Sequence, residues 1–402
     1  MGEQESVPRW IKLASAEYRR AAWALFLAGF ACYSLIYCVQ PLLPAFADTF
    51  GVSPAESSLA LSLTTGLLAF AIVLASAASQ ALGRRGLMFG SILLAAICDI
   101  VAAATPSWAA LLAARAIEGF VIGGVPAVAI AYLSEEIEPA SLGRAMGLYV
   151  AGTAFGGMMG RIGMGILTEF TSWRVALGII GVSCLAAAIG FLILLPPSRN
   201  FIPRRGFDLA LHLRAWQGHL VNRALLRIYA YGFLITSVFV TLFNYAVFRL
   251  SIAPHSLSQM AISLIFLVYG FGMVSSSVAG ALADRFGRRP PLLAGFLTML
   301  IGVLATLPDS LTAILGGIVL MTVGFFVVHS VASGSIGPLA GEFKAHAASL
   351  YLLFYYLGSS IVGSAGGWFW QHGGWPAIVG LTAILAVTGL WLAATAGNKE
   401  GG

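Results

Sequence analysis

Charge is what this chain has least of: Asp, Glu, Lys and Arg make up only 9% of its 402 residues, against 59% hydrophobic. Soluble domains carry about 25% charge, so the composition excludes an ordinary soluble fold and fits a chain that crosses a membrane many times. Cysteine is scarce as well. Cys32, Cys38, Cys98 and Cys184 all fall in apolar runs without metal-ligand spacing, which implies neither a disulfide framework nor a zinc site. No G-x-x-x-x-G-K-[ST] phosphate loop occurs, which argues against an ATP-driven pump. The acidic run at 135 to 138 (EEIE) lies in a loop without histidine ligands, so a polytopic membrane enzyme has no recognisable catalytic constellation. Neither a cofactor nor a metal is expected.

Glycine, by contrast, is plentiful: 47 residues spread along the chain rather than gathered into linkers. Small residues let helices approach closely in lipid, where apolar burial supplies little drive for association. The net charge of +6 brings nucleic acid to mind, but its distribution does not fit it. Most basic residues sit in short clusters between apolar runs: Arg9, Lys12, Arg19 and Arg20; Arg84 and Arg85; Arg199, Arg204 and Arg205; Arg285, Arg288 and Arg289. The alternate loops hold almost none, so the positive-inside rule places both termini in the cytoplasm of a bacterial inner membrane. The first apolar stretch, about Ala21 to Ala47, is too long for a signal-peptide core and shows no small-residue cleavage site.

Twelve spans are predicted, near 21–47, 57–81, 87–105, 108–132, 143–167, 173–195, 228–250, 257–282, 290–307, 310–333, 347–370 and 375–396. The one long connection, 196 to 227, opens on Pro196 and Pro197, and its stretch from Phe207 to Leu226 mixes leucines and Trp216 with Arg214, His219 and Arg223. That pattern predicts an amphipathic helix on the cytoplasmic face, with a plain solvated tether as the simpler reading. It separates two domains, 1–195 and 228–402, which repeat one another. GRRG at 83 to 86 answers GRRP at 287 to 290, Leu148-Tyr149 answers Leu350-Tyr351, and Trp173 answers Trp375. The expected fold is therefore all-α, two six-helix bundles related by a pseudo-two-fold along the membrane normal, with a cavity between them.

Gly280-Ala-Leu-Ala-Asp284-Arg285-Phe-Gly287-Arg288-Arg289 resembles the loop signature of the major facilitator superfamily. Arg115-x-x-x-Gly119 resembles its second motif, and Gly152, Gly156 and Gly160 occupy the place of its glycine-rich antiporter motif. Ile36 to Pro44, YLSEEIEP at 132, GGMMGR at 156, FNY at 243, HSVAS at 329 and SLYLLFYYLGSSIVG at 349 are similar to YnfM-type inner-membrane permeases, usually grouped with drug and sugar efflux proteins. The resemblance implies a gating latch at Asp284, Arg285, Gly287 and Arg288. In the first half Gln80 and Ala81 stand where that signature has Asp and Arg, and Ser76 replaces its glycine, so the latch there should be weaker. Gly157 is followed by Met158 where the antiporter motif has proline.

Four ionisable groups lie inside the first-half spans: Asp99, Arg115, Glu118 and Arg161. Ionised groups at membrane depth cost several kcal/mol, so they persist where they face protein or water, and they sum here to zero. Arg115 and Glu118, three residues apart, share a helix face. A proton-coupled carrier needs a carboxylate whose proton affinity moves between states. Glu118 beside Arg115 fits that role, with Asp99 second and Arg161 able to exchange partners. A fixed salt-bridge cluster fastening spans three to five is the competing reading. His329 is a further candidate proton site, or a packing residue. Gln40 and Asn244 match at offset 204, each near tyrosines (Tyr33 and Tyr37; Tyr245), and are expected to reach the cavity and hydrogen-bond a substrate, or to bond helix to helix. Tyr351, Tyr355 and Tyr356 in span eleven supply an aromatic wall or packing. The function expected is proton-coupled export of a small organic molecule by a monomer in the lipid bilayer. The alternative is an importer or uniporter without coupling.

Overall fold

Proline decides where the first span breaks. Pro41 has no N–H to give to the carbonyl four residues back, so the helix Ala16–Tyr37 stops there, continues as a three-ten turn Gln40–Leu42, and resumes as the helix Leu43–Phe50. This is a computed structural model, which describes residues 10–201, 209–341 and 343–396. Span two is Pro54–Leu82 and span three Arg84–Ala104. Span four is divided by Pro126 into Trp108–Ile122 and Gly124–Glu136. Spans five and six are Pro139–Phe170 and Trp173–Leu194.

The second half begins with Arg223–Ser251 as span seven. Span eight is Gln259–Leu264, a three-ten segment Ile265–Val268, and Tyr269–Phe286. Spans nine and ten are Arg289–Ala305 and Leu311–Gly334. Lys344–Leu357, a π segment Gly358–Val362 and Gly363–Ala394 form spans eleven and twelve, divided where Gly374 leaves helical geometry at φ 58°. Among the described residues nine helices qualify as membrane-crossing by length and composition. Three differences account for the predicted twelve: the last of the nine is two spans joined at Gly374, Arg289–Ala305 is short, and Pro139–Phe170 carries Arg144, Arg161 and Glu169.

The linker differs from its prediction. A helix runs over Leu209–Val221 and stops, because Asn222 caps a new helix by accepting hydrogen bonds from the Ala224 and Leu225 amides at 3.0 and 3.3 Å. Span seven therefore starts at Arg223 rather than 228, and no single helix reaches Leu226. The linker helix buries His212, Ala215 and His219 and leaves Leu211, Leu213 and Leu220 exposed. His212 meets His346 of span eleven at 2.8 Å. Arg9, Arg204, Arg205 and Phe207 lie outside the described residues.

Spans one, three, four, five and six pack among themselves, as do seven, nine, ten and twelve. The halves meet where span two lies against span eleven and span five against span eight. At the end of the molecule remote from the linker these seams are bonded. Gln259 donates to the Pro41 carbonyl, the Met260 amide to Glu169 at 3.1 Å, and Ser360 to the Ser62 carbonyl at 2.7 Å. At the linker end Val150 is 58% exposed, and Asp284 and Arg285 are exposed. The structure is closed at the far end and open at the linker end.

Candidate functional site

Span one meets span five without side chains between them. Gly152, Gly156 and Gly160 lie one helical turn apart on span five, and a methyl group added at any of them would strike the backbone of Phe26, Phe30 or Ser34 in turn. Ser34 donates to the Gly156 carbonyl at 3.0 Å. This close approach holds the broken end of span one in the middle of the bundle.

Arg115 seizes that broken end. Its Nη1 donates to the Leu35 carbonyl at 3.0 Å, its Nη2 to the Ile36 carbonyl at 2.8 Å, and its Nε to the Ala60 carbonyl at 3.1 Å. Carbonyls in the last turn of a helix have no partner in their own helix, and Arg115 supplies one. The same Nη1 pairs with Glu118 at 2.6 Å and with Asp99 at 3.3 Å. All three side chains are wholly buried. One guanidinium thus faces two carboxylates, and the second oxygen of each, Asp99 Oδ2 and Glu118 Oε1, accepts no hydrogen bond among the described residues. Fully ionised, the triad carries a surplus negative charge in a dry site, which is costly; one proton removes it.

Arg161 does not join this group, contrary to the neutral four-charge cluster expected from sequence. It lies on the other side of span one, where Nε donates to Gln40 Oε1 at 2.6 Å and Nη1 to the Gly157 carbonyl at 2.5 Å. The rings of Tyr37, Phe266 and Tyr269 surround its guanidinium, with centroids 4.2, 4.9 and 5.2 Å away. The reason is rotational: Arg161 follows the glycine stripe and faces span one, whereas Asp99 and Arg115 reach span one from behind.

Gln40 and Asn244, expected either to reach the cavity or to bond helix to helix, bond to each other at 2.7 Å across the two halves. Gln40 therefore links Arg161 to the second half. Asn244 Nδ2 remains unpartnered and buried. Tyr245 points away from the centre; its hydroxyl donates to the Gly363 carbonyl at 3.0 Å and its ring stacks on Phe248 and Trp370. Tyr356 donates to Tyr33 at 3.0 Å, a further bond between the halves. Tyr351 holds His329 Nδ1 at 2.9 Å.

Between the halves, on the open side of these bridges, is a cavity of about 150 Å³. Tyr33, Tyr37 and Tyr355, expected as substrate-binding residues, line it together with Arg161 and His329, which the sequence offered only as proton sites. Phe239, Tyr269 and Phe325 complete the wall, with Phe239 and Phe325 stacked at 4.1 Å and Phe325 parallel to His329. Those three were missed by sequence reasoning. An aromatic in an apolar span looks like any packing residue, and only the proximity of Tyr269 to the break in span eight hints at a special place.

The repeat is visible in the backbone. Gly83 and Gly287, at equivalent places in the two loops, both adopt positive φ, 81° and 80°. By the sequence offset Leu320 answers Arg115, but Leu320 is 38% exposed on the outer face of span ten. The inner face is filled by Ile318, Met321 and Thr322. In the loops, Arg84 pairs with Glu135 at 2.5 Å, an ion pair that the sequence did not single out. Asp284, Arg285 and Arg288 are not among the residues that line the central cavity, and the side chains of Gln80 and Ala81 are not among those described.

The sequence model described as Major Facilitator Superfamily matches residues 25–274 and 250–400. The inner membrane transport protein YnfM of Escherichia coli (strain K12) is 43% identical over 384 residues, 95% of this chain and 91% of that protein. The MFS-type transporter YybF of Bacillus subtilis (strain 168) is 42% identical over 383 residues, 95% of each. Among solved structures, a bacterial homolog of the human lysosomal transporter Spinster, in an inward-facing and unoccupied conformation, has the same fold. Its TM-score is 0.79 at 15% identity, covering 97% of this chain and 99% of that one. A twelve-span frame with a central cavity, matched along nearly its whole length by transporters, makes this chain a member of the Major Facilitator Superfamily and a membrane transporter, not an enzyme.

Proposed function

We propose that this transporter is a proton-coupled exporter of a small organic molecule, acting as a monomer in a bacterial inner membrane with both termini cytoplasmic. The reading rests above all on the buried triad. Its two carboxylates share one guanidinium, and that guanidinium holds the last carbonyls of the helix Ala16–Tyr37. A proton arriving at Glu118 or Asp99 weakens the grip on Arg115. The freed arginine then shifts the break at Cys38 and Val39, and with it Gln40, which bonds both Arg161 and the second half. Protonation is thereby coupled to the seam between the halves, which is what alternating access requires. With protons entering down their gradient, substrate leaves. The linker end, rich in arginine (Arg84, Arg85, Arg199, Arg288, Arg289), is then the cytoplasmic one, and the cavity opens towards it. The monomer is sufficient because the cavity lies within one chain.

Asp284, Arg285, Gly287 and Arg288 form the latch of the opposite state in this scheme. Among the described residues no hydrogen bond or ion pair joins them to the first half, and in this scheme they engage when the linker end closes.

Proteoliposomes with an imposed pH difference test the reading. Glu118→Gln should abolish concentrative transport while sparing unforced exchange, and Asp284→Asn should slow both directions. Concentration of substrate by Glu118→Gln at the wild-type level would remove Glu118 from the coupling. A second reading has its own observation: each nitrogen of Arg115 has a backbone carbonyl partner, as in a fixed fastener of spans one to four. That reading makes the chain an uncoupled importer or uniporter, and wild-type transport indifferent to the pH difference would favour it.

A further inference from the structure

Arg161 is 1% exposed, lines the central cavity, and has no carboxylate within ion-pair distance among the described residues. Two of its nitrogens are held by Gln40 and the Gly157 carbonyl; Nη2 has no hydrogen-bond partner among the described residues. Three aromatic faces partly replace the water it has lost. A buried guanidinium normally costs several kcal/mol unless an anion meets it, and the protein provides none here. The other buried charges of the bundle do not serve, since Asp99 and Glu118 are both committed to Arg115.

From this geometry we infer that the substrate is a small organic anion, a carboxylate carrying one ring or a comparable apolar body. Its carboxylate pairs with Nη2 of Arg161, and its body lies against Tyr37, Phe239, Tyr269, Phe325 and Tyr355. The proposal rests on the transporter reading and on this cavity being its substrate site. Three features define the class. A fixed positive charge without a counter-ion repels organic cations and leaves a neutral molecule with an unpaired guanidinium beside it. Arginine offers a planar fork that matches a carboxylate. The cavity, about 150 Å³, is of the size that admits a single benzene ring. His329, bonded to Tyr351 through Nδ1, leaves its Nε2 as a further polar group for the same ligand.

The test uses the full-length protein in nanodiscs, with benzoate, phenylacetate and cyclohexanecarboxylate, their three amides, and benzylamine as the cation. The acids should raise the unfolding temperature in a saturable way, and the amides and benzylamine should not. Arg161→Gln should weaken acid binding by at least about tenfold, since a charge-assisted hydrogen bond is lost, and Arg161→Lys should keep part of it. Amides or benzylamine binding as well as the acids, no acid binding at all, or undiminished binding by both variants would each overturn the anion assignment. Should Arg161→Gln fail to fold, Arg161→Lys and the acid-to-amide ratio on wild type still decide. Counterflow of labelled benzoate in liposomes separates the two layers of the argument. Acid binding without movement of any compound sinks the transport reading and leaves the anion site standing. Movement of benzylamine or an amide in preference to the acids sinks the anion assignment and leaves transport standing.

Discussion

In the first half, the space between spans one, three and four holds Asp99, Arg115 and Glu118; in the second half, the face that spans nine and ten turn inward holds Val303, Ile318, Met321 and Thr322, equally buried and without charge. The frames around the two spaces are alike. A methyl group at Gly156 would strike the Phe30 carbonyl, and one at Gly358 the Phe233 carbonyl, so each half presses its fifth helix onto its first at a matching glycine. What differs beyond charge is helix continuity. Span one breaks before Pro41 and span four at Gly123, both beside the triad, whereas span seven runs unbroken over Arg223–Ser251. A broken helix frees carbonyls, and a buried arginine needs acceptors. Each defect satisfies the other, which explains how ionised groups stay in this bundle without water.

The largest test of that pairing is to make the first half resemble the second. Arg115→Met alone strands two carboxylates and the two helix-end carbonyls of Leu35 and Ile36, and should destabilise the protein by about 3–5 kcal/mol, the usual loss when one partner of a buried ion pair is removed. Asp99→Val with Arg115→Ile and Glu118→Met removes all the charges together and should cost far less, about 1–2 kcal/mol for the unpaired carbonyls. Denaturation of the purified variants gives both values. A single variant no worse than the triple would mean that the charges do not depend on one another. The triple variant should also bind ligand in the cavity while losing response to a pH difference.

A smaller effect checks the shared frame. Gly156→Ala and Gly358→Ala each force a methyl group into backbone, and overpacking of this kind costs about 1–3 kcal/mol. Equal losses in unfolding temperature confirm that the two contacts are counterparts. A loss at Gly156 alone would show that only the first half depends on close approach.

Much of this frame was legible in the chain. Apolar run length located the spans, the repeat offset divided them, and the spacing of Arg115 and Glu118 placed both on one face. What escaped was rotation. Arg161, Gln40, Asn244 and Tyr245 all lie near the midplane in sequence, but a helix turned by one residue changes which neighbour a side chain meets. Sequence spacing fixes such a phase only along one helix, not between two. The breaks compound this, because Pro41 and Pro126 reset the phase partway through spans one and four. Arg161 therefore belongs to the cavity rather than the triad, and of the two readings for Gln40 and Asn244 the contact seen is the helix-to-helix bond. The offset misled at span ten for the same reason: it pairs Arg115 with Leu320, which faces outward.

The smallest predicted effect lies at the far end, where the halves carry the same cap with one difference. Ser53 caps span two and Ser258 caps span eight, each accepting from an amide three residues on. In span two that third residue is Glu56, whose carboxylate accepts from the Ser53 amide and hydroxyl, both at 2.8 Å; in span eight it is Ala261. Both bonds are accepted by the ionised carboxylate, and a proton on it weakens them. The first turn of span two should therefore fray as pH drops from about 5 to 3, while the first turn of span eight does not respond through this route. Because Glu56 is exposed, unfolding of the whole chain will scarcely register the change, and hydrogen-exchange protection at the amides of residues 53 and 55–57 is the measurement that resolves it. Glu56→Gln should flatten the pH dependence there and leave residues 259–262 untouched. Equal loss of protection in both turns would trace the acid sensitivity to the closed far-end seam, where Glu169 accepts from the Met260 amide, and not to the cap.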